Sequence, residues 1–431
     1  MTDTTFLYEL ARDSRTTELV AHLRRSSNPV VRRRAAELLG DLSEHPNRDA
    51  TEEAVRALVE AVQNDDDENV RARAIDALYR HGEDSFERLV RELSEAGDGA
   101  DAAGESDAMS ERAMARRLED WLTADLPEFR MVAATALGQV GGDDSLAALV
   151  AATTDPDRRV RARAVESCGL IGHERCLEPL RARLDDPTDL VRERAVRALG
   201  AIGGEDALRS LVPIARDDDE SLRRIAVEEL GQFGSLDPVV VLVRALTDDT
   251  DAVQRAALLS LVELFVDAPP ERTQRVRNAV ADQLSSADTR AVVPHAIDMA
   301  SESRRTAVRH NAVWLLGYVA DAEVDDDQRD AVYDCLIEAL GASDDRTARL
   351  AVASLTELGS DELERRLQIL VDDADTPTDV IDRAEAVLEG IGASLSADVV
   401  TNAVDYTYVR DPEDYTRRHR GDDGDSNGSA S

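Results

Sequence analysis

Lysine is absent from this chain of 431 residues, so apart from seven histidines every basic side chain is an arginine. Cysteine is scarce: Cys168, Cys176 and Cys335 are too few for a disulfide framework. No run of 18 apolar residues occurs and Met1-Thr2-Asp3-Thr4 does not open a signal peptide, so a soluble, cytoplasmic protein without a membrane segment is expected. Bases are outnumbered by acids, 51 to 89, and the net charge is −38. A nucleic-acid groove needs a basic patch to neutralise phosphates, and acids prevail along nearly the whole chain, which argues against DNA or RNA as a partner. Carboxylate pairs are so common here that no single pair is informative. Neither a Gly-rich phosphate loop nor a Ser/His/Asp ordering is present. Nothing points to a catalytic residue, a cofactor, a bound metal or a small-molecule substrate.

What the chain does have is one phrase written repeatedly. Asp155-Pro156, Val160-Arg161-Ala162-Arg163-Ala164-Val165 and Cys168-Gly169-Leu170-Ile171-Gly172 return as Asp186-Pro187, Val191-Arg192-Glu193-Arg194-Ala195-Val196 and Leu199-Gly200-Ala201-Ile202-Gly203. Matching positions lie 31 residues apart, the mark of a solenoid repeat. Within a copy, Val191, Ala195, Val196, Leu199 and Ile202 form one apolar helical stripe. The Asp-Pro pair supplies an acceptor for free N–H groups and a residue that cannot continue a helix. Gly203-Gly204 ends the helix, and a second stripe through Ala207, Leu208, Leu211 and Val212 follows. Neither helix can bury its stripe alone, so the units must stack.

Register is followed by an alanine, found at Ala35, Ala74, Ala133, Ala164, Ala195, Ala226, Ala257, Ala312, Ala351 and Ala384. The copies at Ala257, Ala351 and Ala384 have lost the Val-Arg signature and keep the apolar spacing. Between Ala257 and Ala312 a further helix pair, roughly Arg272–Leu284 and Ala291–Ala300, has no assignable register. The expected organisation is a helical cap over 1–27, repeats over 28–96, a flexible acidic loop over 97–109, repeats over 110–400, and a Tyr/Arg segment with a disordered acidic tail over 401–431. The fold class is all-α: a right-handed α-solenoid of about ten helix pairs, with the second helices lining its concave face.

Four constellations have chemistry to consider. Arg32, Arg71, Arg130, Arg161, Arg192, Arg223 and Arg309 recur at one register and form a ladder. They either grip an acidic partner or pair with acids of the inter-repeat turns, such as Asp155, Asp186 and Asp219; the second reading fits a ladder that tracks the repeat itself. Cys168, His173 and Cys176 have ligand chemistry at a spacing that matches no standard zinc pattern, and Cys168 occupies the core position of Leu199. His310-Asn311 reads as an exposed or capped helical histidine near Trp314. Tyr406, Tyr408 and Tyr415, with Arg417 and Arg418, gather types favoured at interface hot spots, and either dock a partner or seal the last repeat.

The repeated phrase resembles the short HEAT repeats of the PBS-lyase HEAT-like type, from about Asn28 to Gly392. That resemblance implies a scaffold used by enzymes and adaptors alike. Its founding members attach bilin chromophores, and an iron-binding relative uses several His-Glu pairs; His173-Glu174 is the single such pair here. The acidic, lysine-free surface looks like that of an extreme halophile, in which salt screens self-repulsion. Phe6-Leu7-Tyr8-Glu9-Leu10-Ala11-Arg12-Asp13, followed by Val31-Arg32-Arg33-Arg34-Ala35-Ala36-Glu37, resembles the opening of haloarchaeal taxis-associated HEAT-PBS proteins. This implies a non-catalytic protein–protein adaptor with taxis proteins as partners, linking chemotaxis signalling to the archaeal flagellar motor. The alternative is a bilin-lyase-like or metal-dependent modifying enzyme on the same scaffold.

Overall fold

The computed structural model of the protein describes residues 4–42, 48–95, 118–140, 143–233, 235–267, 270–284, 289–319 and 325–397, and among them every regular element is helical. A larger compact unit runs to Ala312 and a smaller one begins at Val313. In the larger unit each copy of the repeated phrase is a helix: Pro29–Gly40, Glu68–Arg80, Pro127–Val140, Arg158–Ile171, Asp189–Ile202, Glu220–Leu230 and Asp251–Asp267. A second helix follows most of them, as Gly204–Ile214 follows Asp189–Ile202; after Arg158–Ile171 it shrinks to Leu177–Arg181 behind a 3-10 turn.

The starts and stops follow from local chemistry. The Asp157 side chain accepts the Arg159 N–H at the head of Arg158–Ile171, and Asp219 accepts those of Ser221 and Leu222 at the next start but one. At the far ends Gly172 and Gly203 have φ of +69°, which a side chain would strain. All ten register alanines are at most 1% exposed, including Ala257, Ala351 and Ala384. Around them Val191, Val196, Leu199, Leu222, Val227 and Leu230 are buried, each worth roughly 1.5–3 kcal/mol.

Small residues set how closely the Val-Arg helices stack. A Cβ on Gly169 would lie 2.7 Å from the Ala198 Cα, and one on Gly40 2.8 Å from the Ala77 Cα. Where serine holds the facing position it bonds backward across the gap: Ser167 Oγ donates to the Ala134 carbonyl at 2.8 Å, and Ser260 Oγ to that of Val227 at 3.0 Å. One ion pair even skips a repeat between Val-Arg helices, Arg159 to Asp76 at 2.8 Å, and Arg163 of the same helix reaches Glu83, at the head of the helix Glu83–Glu95, at 2.7 Å. Side chains two repeats apart meet only on the inner side of a curve, so the inner row of this unit is the Val-Arg helices. The expectation that the second helices line the concave face is thereby corrected: apolar stripes report what is buried, not which way a stack bends.

The smaller unit contains Asp326–Leu340, Asp345–Leu358, Asp361–Asp372 and Thr378–Ala397. Ser354 Oγ donates to the Val313 carbonyl at 3.2 Å beneath Gly317, the same device as in the larger unit. Arg366 gathers Asp330, Asp334 and Glu362 and lies 5.8 Å from the Tyr333 ring centroid.

Candidate interaction surface

The arginine ladder obeys a fixed geometry. Each member donates from Nη1 to the backbone carbonyl six residues earlier: Arg32 to Ser26, Arg71 to Asp65, Arg130 to Ala124, Arg161 to Asp155, Arg192 to Asp186, Arg223 to Asp217 and Arg309 to Ser303. The other edge of the guanidinium reaches the following repeat. Arg130 meets both oxygens of Asp155, Arg161 those of Asp186, and Arg223 those of Asp248, at 2.8–3.1 Å. Arg32 makes the same bidentate contact with Asp65. The acid in turn accepts the N–H two residues on, as Asp186 does from Thr188. Arg192 departs from the pattern, reaching Asp219 at 3.3 Å and Asp189 at 2.8 Å. At the next ladder position Gln254 keeps only the bond to the earlier carbonyl, that of Asp248, at 2.6 Å.

These pairs are shielded from water: the Asp186 side chain is 1% exposed. Burial pushes the Asp186 carboxyl up, yet the bonds from Arg161 and the Thr188 N–H outweigh it and hold it below the ordinary aspartate range. The same balance depresses Asp65 against Arg32 and Asp248 against Arg223. The ladder guanidinia are therefore engaged within the protein.

A second set of charges lies on the solvent side of the inner row. Arg34 pairs with Glu37, Arg80 with Asp41, and Arg194 with Glu166. Arg163, its side chain 6% exposed, lies 4.8 Å from the Phe86 ring centroid and 5.7 Å from that of Tyr79 while holding Glu83 and Glu166. Beside it is a cavity of about 230 Å³ lined by Tyr79, Glu83, Arg163, Glu166, Leu190 and Arg194. Sequence reading passed over this cluster because Glu83 and Arg163 are 80 residues apart.

Glu229 breaks the small-residue rule of the inner row. It stands under Gly200, in the column filled elsewhere by Ala77, Ser167, Ala198 and Ser260. The residue is 8% exposed, and among the described residues its ion-pair partner is Arg197 at 3.8 Å. Burial lifts its carboxyl to about 7, against the pull of Arg197 and with the push of Glu228. A folded-state value above the unfolded one means that stability is fullest below the ordinary glutamate range and declines as pH rises through that range to about 7. Glu229→Gln should accordingly raise stability by about 1–2 kcal/mol at pH 8, once solvent screening is allowed for, and by much less at pH 5. Thermal unfolding at the two pH values checks this; equal shifts at both would refute it.

Of the other constellations, Cys168 and Cys176 are both buried. The hydrogen bond to Cys176, together with burial, holds the Cys168 thiol far above its ordinary range. His173 Nδ1 accepts the Arg175 N–H, a capping role at the 3-10 turn. His310 is buried rather than exposed, on the packed side of Thr306–Val319 beside Asn311, which bonds Arg277 and the Ala307 carbonyl. Among the described residues no three His, Cys, Asp or Glu side chains converge as metal ligands, and no helix is long and apolar enough to cross a membrane. Tyr406, Tyr408, Tyr415, Arg417 and Arg418 lie outside the described residues, as does the stretch 97–109.

Comparison with known proteins fits this geometry. The family model of HEAT repeats matches in overlapping stretches, 16–106, 100–166, 115–193, 147–228, 177–263 and 208–293. A HEAT repeat-containing taxis protein of Halobacterium salinarum is 42% identical over 417 residues, covering 96% of each chain. Among solved structures, an engineered protein is similar with a TM-score of 0.46 and 21% identity, over 88% of this chain and 98% of that one.

Proposed function

The chain belongs to the HEAT-repeat family, and on that premise we propose that it is a non-catalytic protein–protein interaction scaffold acting in taxis. The observation that carries this reading is the near-full-length likeness to a protein named for taxis, 42% identical over 96% of both chains. The buried ladder supports it physically. Guanidinia locked between repeats stiffen the stack, and a stiff stack presents an extended surface at little ordering cost on binding. We place the chain in the cytoplasm, holding chemotaxis signalling proteins and connecting them to the archaeal flagellar motor. Tyr406, Tyr408, Tyr415, Arg417 and Arg418 serve as a second contact beyond the repeats.

Affinity capture from a halophilic lysate in molar salt, read by mass spectrometry, tests this. Wild-type protein should recover taxis signalling proteins together with motor components. A chain shortened to end at Val400 should recover fewer of them. Recovery of only unrelated proteins would overturn the taxis assignment, and an undiminished yield from the shortened chain would remove the second contact.

A further inference from the structure

We propose that the inner face around Leu190, Arg194 and Arg197 docks an acidic segment of a partner protein, one that carries an apolar side chain next to its carboxylates. This rests on the scaffold reading above and names the chemistry of what the scaffold holds there.

Charge complementarity singles out the place. The inner-row helices Pro29–Gly40, Glu68–Arg80, Pro127–Val140, Arg158–Ile171 and Asp189–Ile202 contain fourteen arginines against seven acids, in a chain whose acids exceed its bases by 38. Five of the fourteen are ladder arginines; the nine others still outnumber the seven acids, the reverse of the balance of the whole chain. The ladder arginines of these helices are turned inward and engaged, which leaves those of the solvent side to meet a partner. Among the described residues Arg194 forms its ion pair with Glu166 of the preceding repeat. Arg197, its side chain half-exposed, has its nearest acids at 3.8 and 4.0 Å, beyond hydrogen-bond length. Both donate a planar fork that matches an incoming carboxylate.

The same place offers apolar surface left open by the described residues. Leu190 is 36% exposed at the mouth of the 230 Å³ cavity, where the Tyr79 ring and Ala162 form the wall. Leu170, 67% exposed, stands near the opposite end of the adjoining inner helix. In about molar salt the screening length is about 3 Å, so long-range attraction is lost and only contact pairs and apolar burial bind. Arginines beside an apolar pocket supply both.

The test measures fluorescence anisotropy of a labelled peptide in which leucines alternate with Asp and Glu, added to the full chain in molar KCl. A peptide with Asn and Gln in place of the acids and a DNA oligonucleotide of equal charge serve as comparisons. The acidic peptide should bind, the amide peptide should not, and Arg194→Gln with Arg197→Gln should weaken binding about tenfold or more, the scale of a hot-spot arginine. Leu190→Asp, made separately, should do the same. Equal binding by these variants, no binding of the acidic peptide, or equally tight binding of the oligonucleotide overturns the proposal. If wild type captures taxis proteins and the variants capture them equally, the docking site is wrong while the scaffold stands. If wild type captures none, the scaffold reading itself falls.

Discussion

Replacing Asp186 by alanine should lower the stability of the central array by about 3–5 kcal/mol, because it leaves a buried guanidinium with no counter-charge. Asp186 takes two bonds from Arg161 at 2.9 Å and one from the Thr188 N–H at 3.1 Å, with Arg183 at 3.6 Å. Alanine removes all of these and admits no compensating charge. In a stack that couples only neighbours the loss is local, so hydrogen exchange should rise first over 158–202 and thermal unfolding should shift down or split. Arg161→Met combined with Asp186→Leu should recover most of the loss, since an apolar pair needs no counter-charge. A double variant as unstable as Asp186→Ala would show that the rung's value lies elsewhere. The pH dependence has a definite sign. The Asp186 carboxyl is depressed in the fold, so its contribution is fully present above the ordinary aspartate range and is lost as pH falls through the depressed value. Asp186→Ala should flatten the acid limb of the stability curve.

Much of this architecture was legible in the letters because the repeat forces it. A period of 31 with an alanine at each register position means that the alanine meets the same packed environment every time. The position stays buried at Ala257, Ala351 and Ala384, where the Val-Arg signature is gone. The acids Asp155, Asp186 and Asp219 stand out in the turns by their place before each helix. Their direction did not: each takes its arginine from the preceding repeat, a choice set by how far a guanidinium extends from Arg130, Arg161 or Arg192.

The face presented to solvent was less legible, for a geometric reason. Curvature follows from how closely neighbouring helices approach, and that lies in pairs such as Gly169 with Ala198 rather than in either stripe. The signal was present as a glycine five residues after the register alanine, at Gly40, Gly138, Gly169, Gly200, Gly231 and Gly317. Noted only as letters of the repeated phrase, with the helix ending assigned to Gly203-Gly204, these glycines said nothing of an inner row. The clasp between Glu83 and Arg163 had no sequence signal at all, because the residues between 95 and 118 interrupt the period and hide the register of one partner from the other. Glu229 could have been noticed as an acid in a column of alanine and serine.

Gly169→Leu should be the most damaging single change in the inner row, costing about 3 kcal/mol or more as overpacking against a rigid neighbour. A Cβ there lies 2.7 Å from both the Cα and the Cβ of Ala198, and no rotamer of Ala198 moves its backbone aside. Helices Arg158–Ile171 and Asp189–Ile202 must separate, which strips contacts from Val165 and Val196 and draws Arg161 away from Asp186. The alanine variant should cost less, because the helix preference of alanine over glycine, about 1 kcal/mol, offsets part of the clash. Leu170 supplies the contrast. One residue further on, 67% exposed, it should tolerate alanine within about 0.5 kcal/mol. Chemical denaturation of the three variants decides the matter: if Gly169→Leu unfolds with Leu170→Ala, the close approach of the inner helices does not hold the stack. If instead its transition divides in two, the array has been cut at the interface on which both the ladder and the docking face depend.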